Sequence, residues 1–340
     1  MALALVLDCA DARPNAAEKA FYRDADPWGF ILFARHCEDA EAVRAVCSDL
    51  REAVGRHAPI MIDQEGGRVA RMKPPAFPAH PASGEIGKLW RRDPEKGLEA
   101  ARLDGRLLGR LCSDLGVNIN AVPMLDVAAA DANEAVIGDR SLGDNVNVVV
   151  SLGRAIMEGL MEGGALPIIK HMPGHGRATV DSHYGLPAVS ASREELREVD
   201  FKPFISLKDA PIGMTAHVVY EAFDRDRCGT LSSNIINDII RGEIGFDGLL
   251  LSDDLKMQAL GGPVGERVSG ALAAGCDIAC CCNFSLDDQR EAAAAARPLE
   301  GRALARAEKA LSELPTGVLR EDTAADYQRL ASLLASSPIA

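Results

Sequence analysis

The chain has 340 residues, with 37 Lys and Arg against 50 Asp and Glu, for a formal net charge of −13. That balance excludes a basic scaffold for nucleic-acid phosphates and argues against docking on an anionic membrane surface. At 47% hydrophobic and 26% charged residues the composition is that of a folded protein, and no run approaches the roughly eighteen apolar residues of a membrane span.

Eight short apolar runs recur in chain order: Ala2–Leu7, Gly29–Phe33, Pro59–Ile62, Val117–Val122, Ala165–Ile169, Pro211–Ala216, Gly248–Leu251 and Ile278–Cys282. They are continuous rather than alternating, the pattern of strands buried on both faces of a parallel sheet. The first has no basic lead-in and runs into Asp8, so it reads as a strand rather than an export signal, and a cytoplasmic location is expected. Helical patterns fill the gaps. Leu103, Leu107, Leu108, Leu111 and Leu115 repeat at three and four within 98–115, and a similar pattern over 146–161 ends at Gly163-Gly164. Leu231-Ser232-Ser233-Asn234 offers N-cap residues ahead of Ile235, Ile236, Ile239 and Ile240.

From about residue 285 the chain is Ala-rich and charged, broken at Pro298, Pro315 and Pro338. This tail predicts helices packed outside. Eight strands alternating with helices, and no linker, predict an α/β protein: a single (β/α)8 TIM-type barrel. One domain then spans 1–340, with the barrel over about 1–284 and the helical tail over about 285–340. The nine cysteines include the consecutive Cys280, Cys281 and Cys282 and no CxxC pair at zinc-ligand spacing, which predicts free buried thiols.

In such a barrel, chemistry sits where strands end. The residues there are Asp8, Arg35, Asp63-Gln64-Glu65, Asp126, Lys170-His171, His217, Asp253-Asp254 and Asn283. So many ionisable groups at strand ends imply a task, because buried charge is costly without one. The densest segment is Lys170-His171-Met172-Pro173-Gly174-His175-Gly176, followed by Asp181-Ser182-His183. A carboxylate at Asp181 accepting the His183 Nδ1–H would free Nε2 for proton transfer; a pair of loop-stabilising hydrogen bonds is the plainer alternative. At Ser252-Asp253-Asp254, adjacent carboxylates in a regular strand face opposite ways, so only one is expected in the mouth. Periodicity does not choose between them, and either could instead cap the next helix. Asp63-Gln64-Glu65-Gly66-Gly67-Arg68, with Arg71 beyond, and Gly138-Asp139-Arg140-Ser141 add charged loops without phosphate-binding spacing.

Together these segments resemble glycoside hydrolase family 3, and within it the bacterial β-N-acetylhexosaminidases. Lys170–Gly176 is similar to that family's K-H-F-P-G-H-G, Asp181-Ser182-His183 to its D-S-H, and Ser252-Asp253-Asp254-Leu255 to its S-D-D-L nucleophile strand. Asp63–Val69 and Gly138–Ser141 resemble two further segments, all in family order. The resemblance implies Asp253 as nucleophile, His183 as general acid/base and Asp181 as the group orienting it. It also implies that Asp63, Arg71, Arg140, Lys170, His171 and His217 hold or lie near the sugar. Met172 replaces the usual aromatic, Lys256 stands where serine is common, and Tyr184 follows the Asp-Ser-His.

A retaining glycosidase needs a carboxylate to attack the anomeric carbon and a second group to protonate the leaving oxygen. A histidine suits transfer in both directions near neutral pH. The family resemblance implies the activity of an exo-β-N-acetylglucosaminidase of cell-wall recycling. Its substrate would be a small glycan, GlcNAc–1,6-anhydro-MurNAc with or without peptide, with neither nucleic acid nor membrane as a partner. No cofactor or metal is expected, since His171, His175 and His183 lack carboxylate or thiolate partners at ligand spacing in the sequence. A metal-dependent amidohydrolase would need H-x-H after the first strand, where Asp8-Cys9-Ala10 stands. A β-glucosidase or xylosidase of the same family typically carries Trp after the nucleophile, where Asp254 stands, and a second domain for which little chain is left. A sugar binder without catalysis would have no use for a nucleophile, histidine and orienting aspartate together.

Overall fold

A computed structural model describes residues 1–130, 132–178, 186–257, 260–315 and 323–335. The strands among the described residues are, in chain order, β1 (Leu3–Leu7), β2 (Pro27–Leu32), β3 (Ile60–Ile62), β4 (Ile119–Asn120), β5 (Leu166–Met172), β6 (Ala188–Val189), β7 (Ile212–Thr215), β8 (Val219–Tyr220), β9 (Leu249–Asp254) and β10 (Ile278–Cys280). Eight of them close into a parallel barrel in the order β1-β10-β9-β7-β5-β4-β3-β2. Each coincides with one of the eight apolar runs of the sequence. Strands covered on both faces carry no polar alternation, and β2 and β5 are buried along their whole length. The remaining two, β6 and β8, form a short parallel ladder beside the barrel.

The helices follow from their caps. Asn15 opens α1 (Ala16–Ala25) with a capping box to Glu18, and Asp39 caps α2 (Ala40–Val54), which stops at Gly55 in the left-handed region. After α3 (Ser83–Arg92), Asp93 caps α4 (Pro94–Asp114) with proline in its first turn. That cap starts α4 ahead of the leucine repeat. Next comes α5 (Val146–Glu162), which packs along α4 at unusually close range. A Cβ on Gly109 would meet the Leu160 carbonyl oxygen at 2.2 Å, and one on Gly159 the Arg102 carbonyl oxygen at 2.1 Å. Only hydrogen fits at either place.

Ser232 accepts from the Ile235 N–H at 3.2 Å and opens the helical turns Ile235–Glu243, whose four isoleucines are buried. In the tail, α9 (Leu286–Ala295), α10 (Gly301–Ser312) and α11 (Thr323–Ala335) lie against the outside of the barrel, after α6 (Arg193–Glu195), α7 (Lys202–Ser206) and α8 (Val264–Ala274). Tyr327 of α11 bonds the buried His80 at 3.1 Å, and His80 in turn bonds Asp104 of α4 at 2.7 Å. Leu330 and Leu333 are buried beside them, so apolar burial and a polar relay hold the last helix on. All nine cysteines are buried and unbridged.

Candidate active site

The C-terminal ends of the strands surround a cavity of about 470 Å³, lined by residues of β2, β5, β7, β9 and β10 and of the loops after β2, β3, β4, β5, β9 and β10. One wall is a buried charge network. Lys170, at the end of β5, places its ammonium 3.1 Å from Asp63 and 2.6 Å from Glu65. Arg140 grips Glu65 through both oxygens at 2.9 and 2.8 Å, and Arg71 meets Asp63 at 3.1 Å. The loop after β3 is aimed by Gln64, whose side-chain oxygen accepts the N–H groups of Arg71 and Met72. Burial opposes ionisation of Asp63 and Glu65, but Lys170 and the arginines outweigh it, holding both carboxyls below the usual range. Lys170 itself is only 2% exposed; burial disfavours its charge, yet Glu65 and Asp63 raise it above an ordinary lysine. The wall stays ionised at neutral pH, with rigid donors and acceptors suited to hydroxyl and amide groups.

Asp126, fully buried after β4, organises the next stretch. It accepts the His171 Nδ1–H at 2.7 Å and the His175 N–H at 2.6 Å. That bond sets the tautomer of His171, so Nε2 is left for a ligand in the cavity. His175 is buried with neither ring nitrogen hydrogen-bonded among the described residues, and burial followed by the neighbouring His171 lowers its pKa to about 4. Asp126, His171 and His175 each bring a ligand atom within 4.8 Å of the others, enough to hold a divalent cation. The sequence reading found no carboxylate partner for these histidines; tertiary structure supplies one from 45 residues away in the chain.

Opposite stands the end of β9. Asp253 and Asp254, the last two residues of β9, both border the cavity. Asp254 turns its carboxylate to accept the backbone N–H groups of Lys256 at 2.9 Å and Cys282 at 3.2 Å. Burial outweighs these bonds and lifts its pKa to about 7. Asp253 accepts the Asp254 N–H at 2.8 Å. Burial would raise it too, but the imidazoles of His217 and His171, that N–H and Lys170 hold it below the usual carboxylate range. It is thus an anion facing the cavity near neutral pH, the state a nucleophile needs.

Of the residues singled out in the sequence, Asp63, Arg71, Arg140, Lys170, His171 and Asp253 all line this one cavity. His217 does not. It is buried one layer behind, where Nε2–H donates to the Asp254 carbonyl at 2.9 Å and Nδ1 pairs with the Thr230 hydroxyl at 2.7 Å. Asp181 and His183 lie outside the described residues. Sequence reasoning quoted Glu65 and Asp126 at strand ends but gave them no role, although both sit at the centre of the networks. Phe33 was missed. It follows β2 and stands between Arg35 and Arg71, whose guanidinium carbons lie 5.0 and 5.4 Å from its ring centre. Its place as the last residue of the apolar run Gly29–Phe33 was the available signal.

The family model for the glycosyl hydrolase family 3 N-terminal domain matches residues 5–308. A Beta-hexosaminidase of Chromobacterium violaceum is 34% identical over 330 residues, covering 96% of this chain and 89% of its own. A Beta-hexosaminidase of Bordetella avium is 34% identical over 283 residues, covering 82% and 80%. Among solved structures, NagZ from Neisseria gonorrhoeae in complex with zinc ion superposes with a TM-score of 0.87 at 30% identity, covering 98% of both chains. The same protein in complex with N-trifluoroacetyl-D-glucosamine gives 0.86 at the same identity and coverage. With a closed parallel barrel, a carboxylate-lined mouth and this coverage, the chain belongs to glycosyl hydrolase family 3 and is a glycoside hydrolase.

Proposed function

We propose that the chain, acting as one catalytic unit, is a retaining exo-β-N-acetylglucosaminidase. It would remove terminal non-reducing GlcNAc from small glycans of the GlcNAc–1,6-anhydro-MurNAc type, with or without peptide, during cell-wall recycling in the cytoplasm. The observation that carries this reading is Asp253, held ionised across the cavity from the Lys170–Asp63–Glu65–Arg140 wall. Such a wall gives hydroxyl and N-acetyl groups fixed charged partners, while the carboxylate opposite has an anomeric carbon to attack. The names of the relatives, and the N-trifluoroacetyl sugar bound by one of them, support an N-acylated hexosamine.

In this mechanism Asp253 forms a covalent glycosyl-enzyme and His183, oriented by Asp181, first protonates the leaving oxygen and then activates water. Asp63, Arg71, Arg140, Lys170 and His171 bind the sugar. His217 acts through the Asp254 backbone, as a positioning residue that sets where Asp253 stands.

Nitrophenyl glycosides of β-GlcNAc and β-glucose, assayed side by side, test the substrate class: release from the first alone is expected, and equal rates would overturn the N-acetyl reading. A fluorinated glycosyl fluoride is expected to label the peptide bearing Asp253; label on Asp254 or on neither would refute the nucleophile. For His183, H183A is expected to hydrolyse a dinitrophenyl glycoside far better, relative to wild type, than the natural disaccharide, with rescue by azide. A uniform loss across leaving groups would return His183 to a structural role.

A further inference from the structure

The wall of the cavity next to Asp253 carries two thiols. Cys280, the last residue of β10, and Cys282 place their sulfurs 3.2 Å apart, and both line the cavity. Cys281, between them, is not part of the lining, as alternation along an extended chain requires; Cys280 and Cys282 border the cavity but are buried too, each only 1% exposed. The pair is wired directly to the strand of Asp253. The Cys280 N–H donates to the Ser252 hydroxyl at 2.8 Å, the Leu255 N–H donates to the Cys280 carbonyl at 2.9 Å, and the Cys282 N–H donates to the Asp254 carboxylate at 3.2 Å. Beyond it, the Asn283 N–H is tied to Asp8 at 2.9 Å, with Asn283 itself in the left-handed region. The chain therefore bends directly after Cys282.

We propose that Cys280 and Cys282 are a modification site in the active cavity, a dithiol that a small organic disulfide entering the cavity converts to an intramolecular disulfide, shutting down glycoside hydrolysis.

The step balances without further reagents. The Cys280 thiolate attacks one sulfur of the incoming disulfide, breaking its S–S bond and releasing one thiol. The Cys282 sulfur, on losing its proton, attacks the Cys280 sulfur and expels the second. Two protein thiols and one disulfide become one protein disulfide and two small thiols.

The electrostatics order the two roles. The Cys282 thiol is pushed well above the usual range by its bond to Cys280 and by burial. The same bond favours the Cys280 thiolate, although burial and the carboxylates of Asp254 and Asp253 still leave that group raised. Cys280 is the better attacking sulfur, and its reaction is expected to quicken as pH rises. Forming the bond draws the sulfurs together by about 1 Å, from contact to the covalent distance near 2 Å. With Cys280 pinned at both its N–H and its carbonyl, the shift passes through the Cys282 N–H into Asp254 and the end of β9. A displacement of about that size at a reacting group costs on the order of a hundredfold in rate.

The inference rests on reading this cavity as the active site. It is tested by treating the whole protein with glutathione disulfide while following nitrophenyl-GlcNAc hydrolysis and the mass of the tryptic peptide 268–290, which contains Cys276, Cys280, Cys281 and Cys282. The expected result is loss of two hydrogens from that peptide, assigned by fragmentation to Cys280 and Cys282, with an activity loss of about a hundredfold in step, both reversed by dithiothreitol. GlcNAc present during treatment is expected to slow both. C280V is expected to keep its own activity unchanged by the oxidant, and C281V to respond like wild type. Pairing through Cys276 or Cys281, a stable glutathione adduct alone, or a Cys280–Cys282 bond with full activity would each overturn the proposal. Should the untreated protein fail to release nitrophenol from the GlcNAc glycoside, the proposed function has failed, and the peptide mass still decides whether the disulfide forms.

Discussion

The mouth of the barrel and the α4–α5 seam are both tightly packed, yet they are built from opposite materials. The seam is backbone against backbone, closed by glycines at Gly109 and Gly159, with its ion pairs at the exposed edge, where Arg102 meets Glu158 at 2.9 Å and also pairs with Glu162. The mouth holds charges out of water: Lys170, Glu65 and Asp126 are buried, and so is His175, with both ring nitrogens unbonded among the described residues. Removing charges from water is expensive, and close pairing does no more than offset the cost. The seam is therefore where stability is gained. At the mouth some stability is given up to keep charged groups ready for a ligand.

The largest expected effect is at Asp253, where D253N would lower kcat by at least about 10⁴-fold. The same variant is expected to change unfolding stability by no more than about 1 kcal/mol in urea titration, since Asp253 is partly exposed. A large stability loss there would erase the distinction between the two regions. E65Q comes next. It removes the charge that Lys170 and Arg140 share, and is expected to cost about 3 kcal/mol, the penalty for leaving buried charge underpaired. KM for the GlcNAc glycoside should rise with it, measured on the folded fraction; an unchanged KM would take the wall out of sugar binding.

At the seam, G159L forces a side chain into the Arg102 carbonyl and is expected to cost about 3 kcal/mol or more. Activity per folded molecule should be retained; a loss of kcat without a loss of stability would show the seam to be coupled to the mouth. A last test concerns His36, at the foot of the mouth after β2. Its Nδ1 accepts the Phe33 N–H at 2.8 Å and its Nε2–H donates to the Cys9 carbonyl at 3.0 Å, so the folded state holds it neutral. Burial lowers its pKa to about 4. Because the unfolded chain takes up that proton near pH 6.5 and the folded one does not, wild type loses stability as pH falls from 6.5 to 4. The loss amounts to about 2–3 kcal/mol. H36Q is expected to be the less stable protein at pH 7, with the gap narrowing by about that amount at pH 4. A gap that stays constant would mean that His36 is not held neutral.

Sequence alone determined the barrel, because a strand buried on both faces must be apolar throughout and the eight runs are. It also determined which residues reach the mouth, because strand ends are where a parallel barrel exposes side chains; Asp63, Lys170, His171 and Asp253 were legible for that reason. It did not determine how they pair. Glu65 gains its importance from Arg140, 75 residues on, and Asp126 from His171, 45 residues on. Nor did it determine the separate fates of Asp253 and Asp254, since the second carboxylate is taken up by backbone donors at Lys256, just after β9, and Cys282, just past β10. Alternation alone puts Cys280 and Cys282 on one face, but only the closed barrel sets that face against the cavity beside β9. Local pattern is dictated by burial along one element. Partnership depends on which strand ends the closed barrel brings within reach, and that is decided only when it closes.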